Sequence, residues 1–212
     1  SIINYVDLLK RENIQDPKIQ GYLDILEAKA QRLKHLTEDV VEASKISSGN
    51  ITMEYMNINF VEMINQTTGE FAEKFEKRNL QIVLNVPEKP VMVRTDGRRM
   101  WRVIENIYNN AAKYALEGTR VYADLIEKEH TVEFSLKNIS EQPLNISADE
   151  LTERFIRGDV SRSTEGSGLG LSIAKNLTEL QGGKFELYLD GDLFKVTIVF
   201  PKAVVGQSVT KS

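Results

Sequence analysis

Four polar residues recur on a helical rhythm in the segment Glu105-Asn106-Ile107-Tyr108-Asn109-Asn110-Ala111-Ala112-Lys113-Tyr114. Asn106, Asn110, Lys113 and Tyr114 stand at i, i+4, i+7 and i+8, which puts them on one helix face. That face lies opposite much of an apolar stripe formed by Met100, Ile104, Ile107 and Ala111. An amide oxygen is the hard ligand that Mg2+ prefers. A lysine about one turn further on can meet a phosphate as a point charge. The same spacing also describes a solvated polar face, so this cluster alone leaves both readings open.

A second cluster, Gly166-Ser167-Gly168-Leu169-Gly170-Leu171, leads straight into a predicted helix. Backbone N–H groups at a helix N-terminus attract phosphate, and glycines let the backbone come close to it. A flexible loop before a helix would look the same. No Gly-Lys-Ser/Thr follows, so this is not a phosphate loop of the Walker type. A dinucleotide fingerprint would need a strand immediately before it and a ribose-binding acid about 20 residues later.

The elements that must position these residues follow from periodicity. Residues 1–12 read as a helix, and Ser1 opens in mid-pattern, so the sequence is expected to begin inside that helix. Residues 13–17 are a polar break ending in Pro17, which suits a connector or a first helical turn. A long helix is expected over residues 18–47. Its Leu23, Leu26, Ala30, Leu33, Thr37, Val40 and Ser44 make an alternating 3-4 seam. Two helices make a thin core, so the hairpin is expected to pair with a second copy as a four-helix bundle. Beyond it, residues 57–60, 80–86, 91–94, 119–126, 131–137, 184–189 and 193–200 read as strands. Residues 61–77, 97–114 and 168–180 read as helices, with Asp96 capping the second of these. Residues 138–167 read as loop. The fold class is α+β, helices on one face of a mixed sheet.

Composition narrows the classes. The 212 residues carry a net charge of −4, which argues against a general nucleic-acid binder. The absence of cysteine excludes disulfides, thiolate zinc sites and cysteine nucleophiles. No apolar run is long enough to cross a bilayer, and no signal peptide opens the sequence.

Taken in order, the clusters resemble the histidine kinase branch of the ATPase superfamily that also holds gyrase, Hsp90 and MutL. Residues 106–114 resemble that family's N box, with Asp96 and Arg99 as the usual lead-in. Glu153-Arg154-Phe155-Ile156-Arg157 resembles its F box, and residues 166–171 its G2 box. Ser44-Lys45-Ile46 with Gly49 resembles the end of the dimerisation hairpin's second helix. The resemblance runs from Ser1 to Pro201. It implies a dimerisation hairpin over residues 1–52, truncated after the phosphoacceptor histidine. It also implies a two-layer α/β sandwich that binds ATP over residues 53–201, and a tail over residues 202–212.

The resemblance also implies roles. Asn110 would bind Mg2+ through its side-chain oxygen, and Asn106 would lie beside the phosphates. Lys113 would contact phosphate and Tyr114 would pack near the nucleotide. Gly166, Gly168 and Gly170, with Leu169 between them, would let a lid over residues 142–164 and the following helix close on the triphosphate. Arg157 would reach the phosphates from that lid. Gyrase-like ATPases place a water-activating glutamate where Asn106 falls, which favours phosphoryl transfer to a protein side chain over hydrolysis. In the parent protein ATP would phosphorylate a histidine, and a response regulator receiver domain would take the phosphoryl group on an aspartate. The expected setting is a cytoplasmic domain, attached to a membrane only through other parts of the parent.

Two departures stand out. The family's Asp-x-Gly-x-Gly G1 box falls on Asn138-Ile139-Ser140-Glu141-Gln142, and Thr152 replaces the first F-box phenylalanine. Asn138 can still accept a hydrogen bond from the adenine amino group, without the charge. The only histidines are His35, expected on the outer face of the long helix, and His130, in a charged hairpin turn. Neither matches the phosphoacceptor, which the family places just upstream of residues 1–5, so this stretch of chain is expected not to phosphorylate itself. Two further readings stay open: a degenerate domain that senses or scaffolds without turnover, and a serine-directed kinase of the same fold. The heptad hairpin argues against the latter.

Overall fold

The computed structural model describes residues 2–12, 14, 16–47, 52–144 and 170–203. The chain divides into two compact units. The first is helical. In it α1 (Ile2–Arg11) and α2 (Pro17–Ser47) form a hairpin. Asp16 caps α2 by accepting from the Lys18 amide at 2.9 Å, and Pro17 takes the first helical position, where no N–H is needed. Val6, Leu23 and Ala30 are buried. The other apolar residues of the expected seam, Leu26, Leu33 and Val40, remain 50%, 57% and 58% exposed. One chain therefore covers only part of that seam.

The second unit mixes strands and helices. In chain order it contains β1 (Tyr55–Asn59), α3 (Phe60–Glu76), β2 (Gln81–Asn85), β3 (Met92–Asp96), α4 (Gly97–Tyr114), β4 (Arg120–Glu127), β5 (Thr131–Ile139), α5 (Gly170–Leu180), β6 (Lys184–Asp190) and β7 (Leu193–Pro201). Five strands make one sheet in the order β2-β4-β5-β7-β6. β2 runs parallel to β4, and the other pairs are antiparallel. β1 and β3 form a separate antiparallel pair.

The main sheet has two unlike faces because side chains alternate along a strand. Val121, Ala123 and Leu125 of β4, Val132, Phe134 and Leu136 of β5, and Phe194, Val196, Ile198 and Phe200 of β7 are buried. The register brings Ala123 opposite Leu136 and Leu136 opposite Val196, so these residues lie on one apolar face. Tyr122, Asp124, Lys137 and Lys195 alternate with them and are only half-buried. The helices cover the apolar face. Tyr108 of α4 stacks on Phe134 at 6.2 Å between ring centroids and meets Phe71 and Phe75 of α3 at 5.4 and 6.1 Å. Its hydroxyl pairs with that of Thr68 at 2.7 Å, so the buried oxygen is satisfied. Burial pushes the Tyr108 hydroxyl pKa up to about 12, against a smaller lowering by the Thr68 bond.

Gly182 and Gly183 turn α5 into β6. Gly182 has φ 79°, and a Cβ on Gly183 would lie 2.5 Å from the Phe200 ring. Only glycine suits either place.

Three expectations need correction. The first strand is Tyr55–Asn59, and Phe60 already belongs to α3, whose cap is Asn59. β1 pairs with β3 as a separate two-stranded sheet, which the Val93–Lys202 bridge links to the end of β7. Asn138 and Ile139, read as loop, are the last residues of β5 and pair with Phe194 and Leu193.

Candidate functional site

α4 carries most of the candidate residues, and its start is held firmly. The Asp96 carboxylate accepts from the Arg99 amide and from the Glu54 amide, each at 3.1 Å, and forms an ion pair with the Arg99 guanidinium. Burial would raise the Asp96 pKa, but these two amides and the guanidinium together outweigh it and hold the carboxyl below its usual range. The buried Gln181, just past α5, adds a second tie. Its Oε1 accepts from the Thr95 hydroxyl and from the Asp96 amide at 3.1 Å, while its Nε2 donates to the Leu177 carbonyl at 2.8 Å. The start of α4 and the end of α5 are thus joined through one amide side chain.

The apolar stripe of α4 lies on the sheet, with Met100, Val103, Ile104, Ile107, Tyr108 and Ala111 buried. Asn106, Asn110, Lys113 and Tyr114 flank that stripe and are all half-buried, so the polar face is not a solvated one. From Asn106 to Tyr114 the helix rises about 12 Å. At the Asn106 end the first residue of α5 comes close. A Cβ on Gly170 would lie 3.1 Å from Asn106 Oδ1, so the bare glycine permits this approach. Asn106 Nδ2 is buried and has no hydrogen-bond partner among the described residues. At the other end Lys113 Nζ sits 2.9 Å from the Tyr114 hydroxyl and 4.7 Å from the Tyr114 ring centroid.

Asn138 enters from β5. It shares the strand face of Phe134 and Leu136, which is the face the helices cover, and it is 3% exposed. Its Nδ2 donates to the Ile139 carbonyl at 3.1 Å, which fixes the amide's orientation. Its Oδ1 is buried without a partner among the described residues. Ser140 and Gln142, which stand where the family has glycines, are ordered by the chain itself. The Ser140 amide donates to the Asp192 carbonyl at 2.7 Å, and the Gln142 amide to Ser140 Oγ at 3.3 Å. Ser140 also bridges to Ala115, directly after α4.

Buried polar atoms normally find partners, so the two amide atoms that have none among the described residues, Asn106 Nδ2 and Asn138 Oδ1, are exceptions that ask for an explanation. A buried acceptor at Asn138 fits an exocyclic amino group. A buried donor at Asn106, beside the start of α5, fits a phosphate oxygen. The half-buried Asn110 amide, one helical turn along α4 from Asn106, is a suitable oxygen ligand for a Mg2+ ion that arrives with a triphosphate. Among the described residues no group of three or more His, Cys, Asp or Glu could hold a metal ion.

Arg157, Gly166, Gly168 and Leu169 lie outside the described residues, as do the F box, Thr152, Gly49 and all of the expected lid beyond Leu144. The side-chain placement expected for His35 also lies outside them. His130 sits at the tip of the β4–β5 turn with its side chain 85% exposed, at the opposite end of β5 from Asn138. Sequence reasoning missed Gln181 and Arg78. The Arg78 guanidinium donates to the carbonyls of Ala112 (3.2 Å) and Lys113, and to Glu141 Oε2 at 2.8 Å. Their partners lie dozens of residues away, so no local pattern could have shown them.

The profile of the histidine kinase-, DNA gyrase B- and HSP90-like ATPases matches residues 95–204. That is more than half of the chain, and the chain belongs to this family. The sensor protein VanSC of Enterococcus gallinarum is 29% identical over 205 residues, covering 95% of this chain and 56% of VanSC. The chain thus spans about half the length of that relative. The nucleotide-free catalytic domain of histidine kinase ThkA is similar at a TM-score of 0.62 and 26% identity, over 71% of this chain and 97% of the domain. ThkA in complex with the response regulator protein TrrA gives a TM-score of 0.66 at 21% identity, over 95% of this chain and 57% of that one. Full-length ShkA in complex with AMPPNP gives 0.76 at 18% identity, over 96% and 43%. The last two likenesses show the fold alone.

Proposed function

We propose that the second unit binds ATP with Mg2+ along α4, and that it is the catalytic part of a sensor histidine kinase. The observation that carries this reading is the pair of buried amide atoms, Asn138 Oδ1 and Asn106 Nδ2, that have no partner among the described residues. The former would accept from the adenine amino group and the latter would donate to phosphate. Asn110 would supply an oxygen to Mg2+, and Lys113 and Tyr114 would meet the phosphates and the nucleotide. Gly166, Gly168, Leu169 and Gly170 would close over the triphosphate, with Arg157 reaching in from the lid. ShkA, which shares the fold, was solved with AMPPNP, and this supports a nucleotide as ligand.

In the longer protein the γ-phosphoryl group would pass to a histidine by in-line attack, with catalysis resting on positioning and charge neutralisation. Asn106 has no carboxylate to activate water, which supports transfer over hydrolysis. His130 is a poor acceptor, exposed at the tip of the β4–β5 turn and outside the helical hairpin. The phosphoryl group would then go to an aspartate of a response regulator receiver domain, and the ThkA–TrrA complex supports that class of partner. The exposed Leu26, Leu33 and Val40 support a homodimer through the hairpin of residues 1–52.

Incubation with radiolabelled ATP tests the reading. This chain alone is expected to stay unlabelled. Label should appear on a histidine once the parent's histidine-bearing segment is supplied, and should vanish with Asn110→Ala. Label that survives Asn110→Ala, or that settles on His130, would contradict it.

A further inference from the structure

We propose that Arg78 is a positioning residue of the nucleotide site, holding the last turn of α4 and the residues leaving β5 as one piece. The inference rests on the nucleotide reading given above. Arg78 follows α3, and the next residue, Asn79, takes the left-handed φ of 51° that turns the chain toward β2. From this place its guanidinium reaches the Ala112 and Lys113 carbonyls with Nη1 and Glu141 Oε2 with Nη2. The Glu141 amide donates to the Tyr114 carbonyl at 2.8 Å, and the Ala115 amide to that of Ala111 at 2.9 Å. The last four carbonyls of a helix have no partner within it. In α4 all four are taken, and one guanidinium takes two of them.

Arginine suits this place for two reasons. Its planar fork can serve several acceptors at once, and a positive charge at a helix C-terminus is favoured by the helix dipole. What it holds gives the contact its role. Lys113 and Tyr114 are the last two residues of α4, and Asn138 lies three residues before Glu141. One side chain therefore sets the phosphate-facing lysine against the base-facing amide. Arg78 acts through these residues and need not touch the ligand.

Calorimetric titration of ATP with Mg2+, well below the melting temperature, tests this when paired with melting curves. Arg78→Ala should weaken binding by about tenfold, the loss typical of hydrogen bonds made by a charged group. Arg78→Lys should recover only part of it, since one ammonium cannot reproduce the fork. Glu141→Gln keeps an acceptor but loses the charge, and should fall between wild type and Arg78→Ala. A lowered melting temperature with affinity unchanged within about twofold would mean a merely structural role and would overturn the proposal. Should Arg78→Ala not fold, wild-type affinity in both Arg78→Lys and Glu141→Gln overturns it equally. A wild-type chain that binds no ATP would remove the nucleotide reading itself, an outcome distinct from unchanged affinity in the variants.

Discussion

At the scale of single residues, the site is marked by polar atoms that folding leaves unsatisfied. An unpaired buried amide oxygen costs stability, typically about 1–3 kcal/mol. Among the described residues Asn138 Oδ1 is such an atom, and a ligand donor is what would offset its cost. Asn138→Leu is therefore expected to weaken ATP binding by about tenfold or more while leaving folding stability unchanged or slightly raised. Calorimetry and urea denaturation together would show the two opposite effects, and equal losses in both would contradict the assignment. Gly170 gives a second case. A methyl group there presses on Asn106 Oδ1 at 3.1 Å. Gly170→Ala should lower ATP affinity several-fold while changing stability by less than about 1 kcal/mol. Asn106, Asn110 and the glycine cluster could be seen in the sequence, because their spacing and order are local facts. The orphan state of Asn138 could not. It depends on burial under helices and on the Ile139 carbonyl taking the amide's other end.

At the scale of elements, α4 shows what a sequence can and cannot reveal. Its limits could be read because Asp96 caps it and the apolar stripe keeps one period to Ala111. β1 was harder. Its burial runs from exposed to half-buried without alternation, so its register with β3 left no trace in the residue pattern. The end of β5 was hidden for a related reason. Asn138-Ile139-Ser140-Glu141 reads as loop, and only pairing with β7, and with β4 at Asn138, makes its first two residues strand. The cap of α4 also has a pH signature. The folded-state pKa of Asp96 lies below its unfolded value, so its contribution is present above the unfolded pKa and lost as pH falls through the folded one. Stability measured by urea denaturation should therefore decline as pH falls below about 4. Asp96→Asn should cost about 1–2 kcal/mol near neutrality and flatten that acid decline. An acid limb of unchanged slope would show that other carboxylates set it.

At the scale of the whole molecule, the hairpin and the mixed unit present different surfaces. The mixed unit covers its apolar sheet face with its own helices, whereas α2 leaves Leu26, Leu33 and Val40 in solvent. Each buried leucine or valine side chain contributes about 1.5–3 kcal/mol, so a second copy covering this seam has a clear driving force. Leu33→Lys together with Val40→Lys should shift the chain toward monomer in sedimentation experiments and leave ATP affinity intact. A chain already monomeric before substitution would contradict the dimer. The heptad spacing was visible in the sequence, but which of its residues one chain buries was not, since that depends on where α1 crosses α2.

The central claim is that α4 and the end of β5 hold ATP with Mg2+ despite the altered Asn138–Gln142 segment. Calorimetric titration of ATP into this chain, with and without Mg2+, and into Asn110→Ala, tests it most directly. Magnesium-dependent binding that Asn110→Ala weakens is the predicted result. No binding at millimolar ATP would contradict it and leave a degenerate signalling module as the better account of this fold.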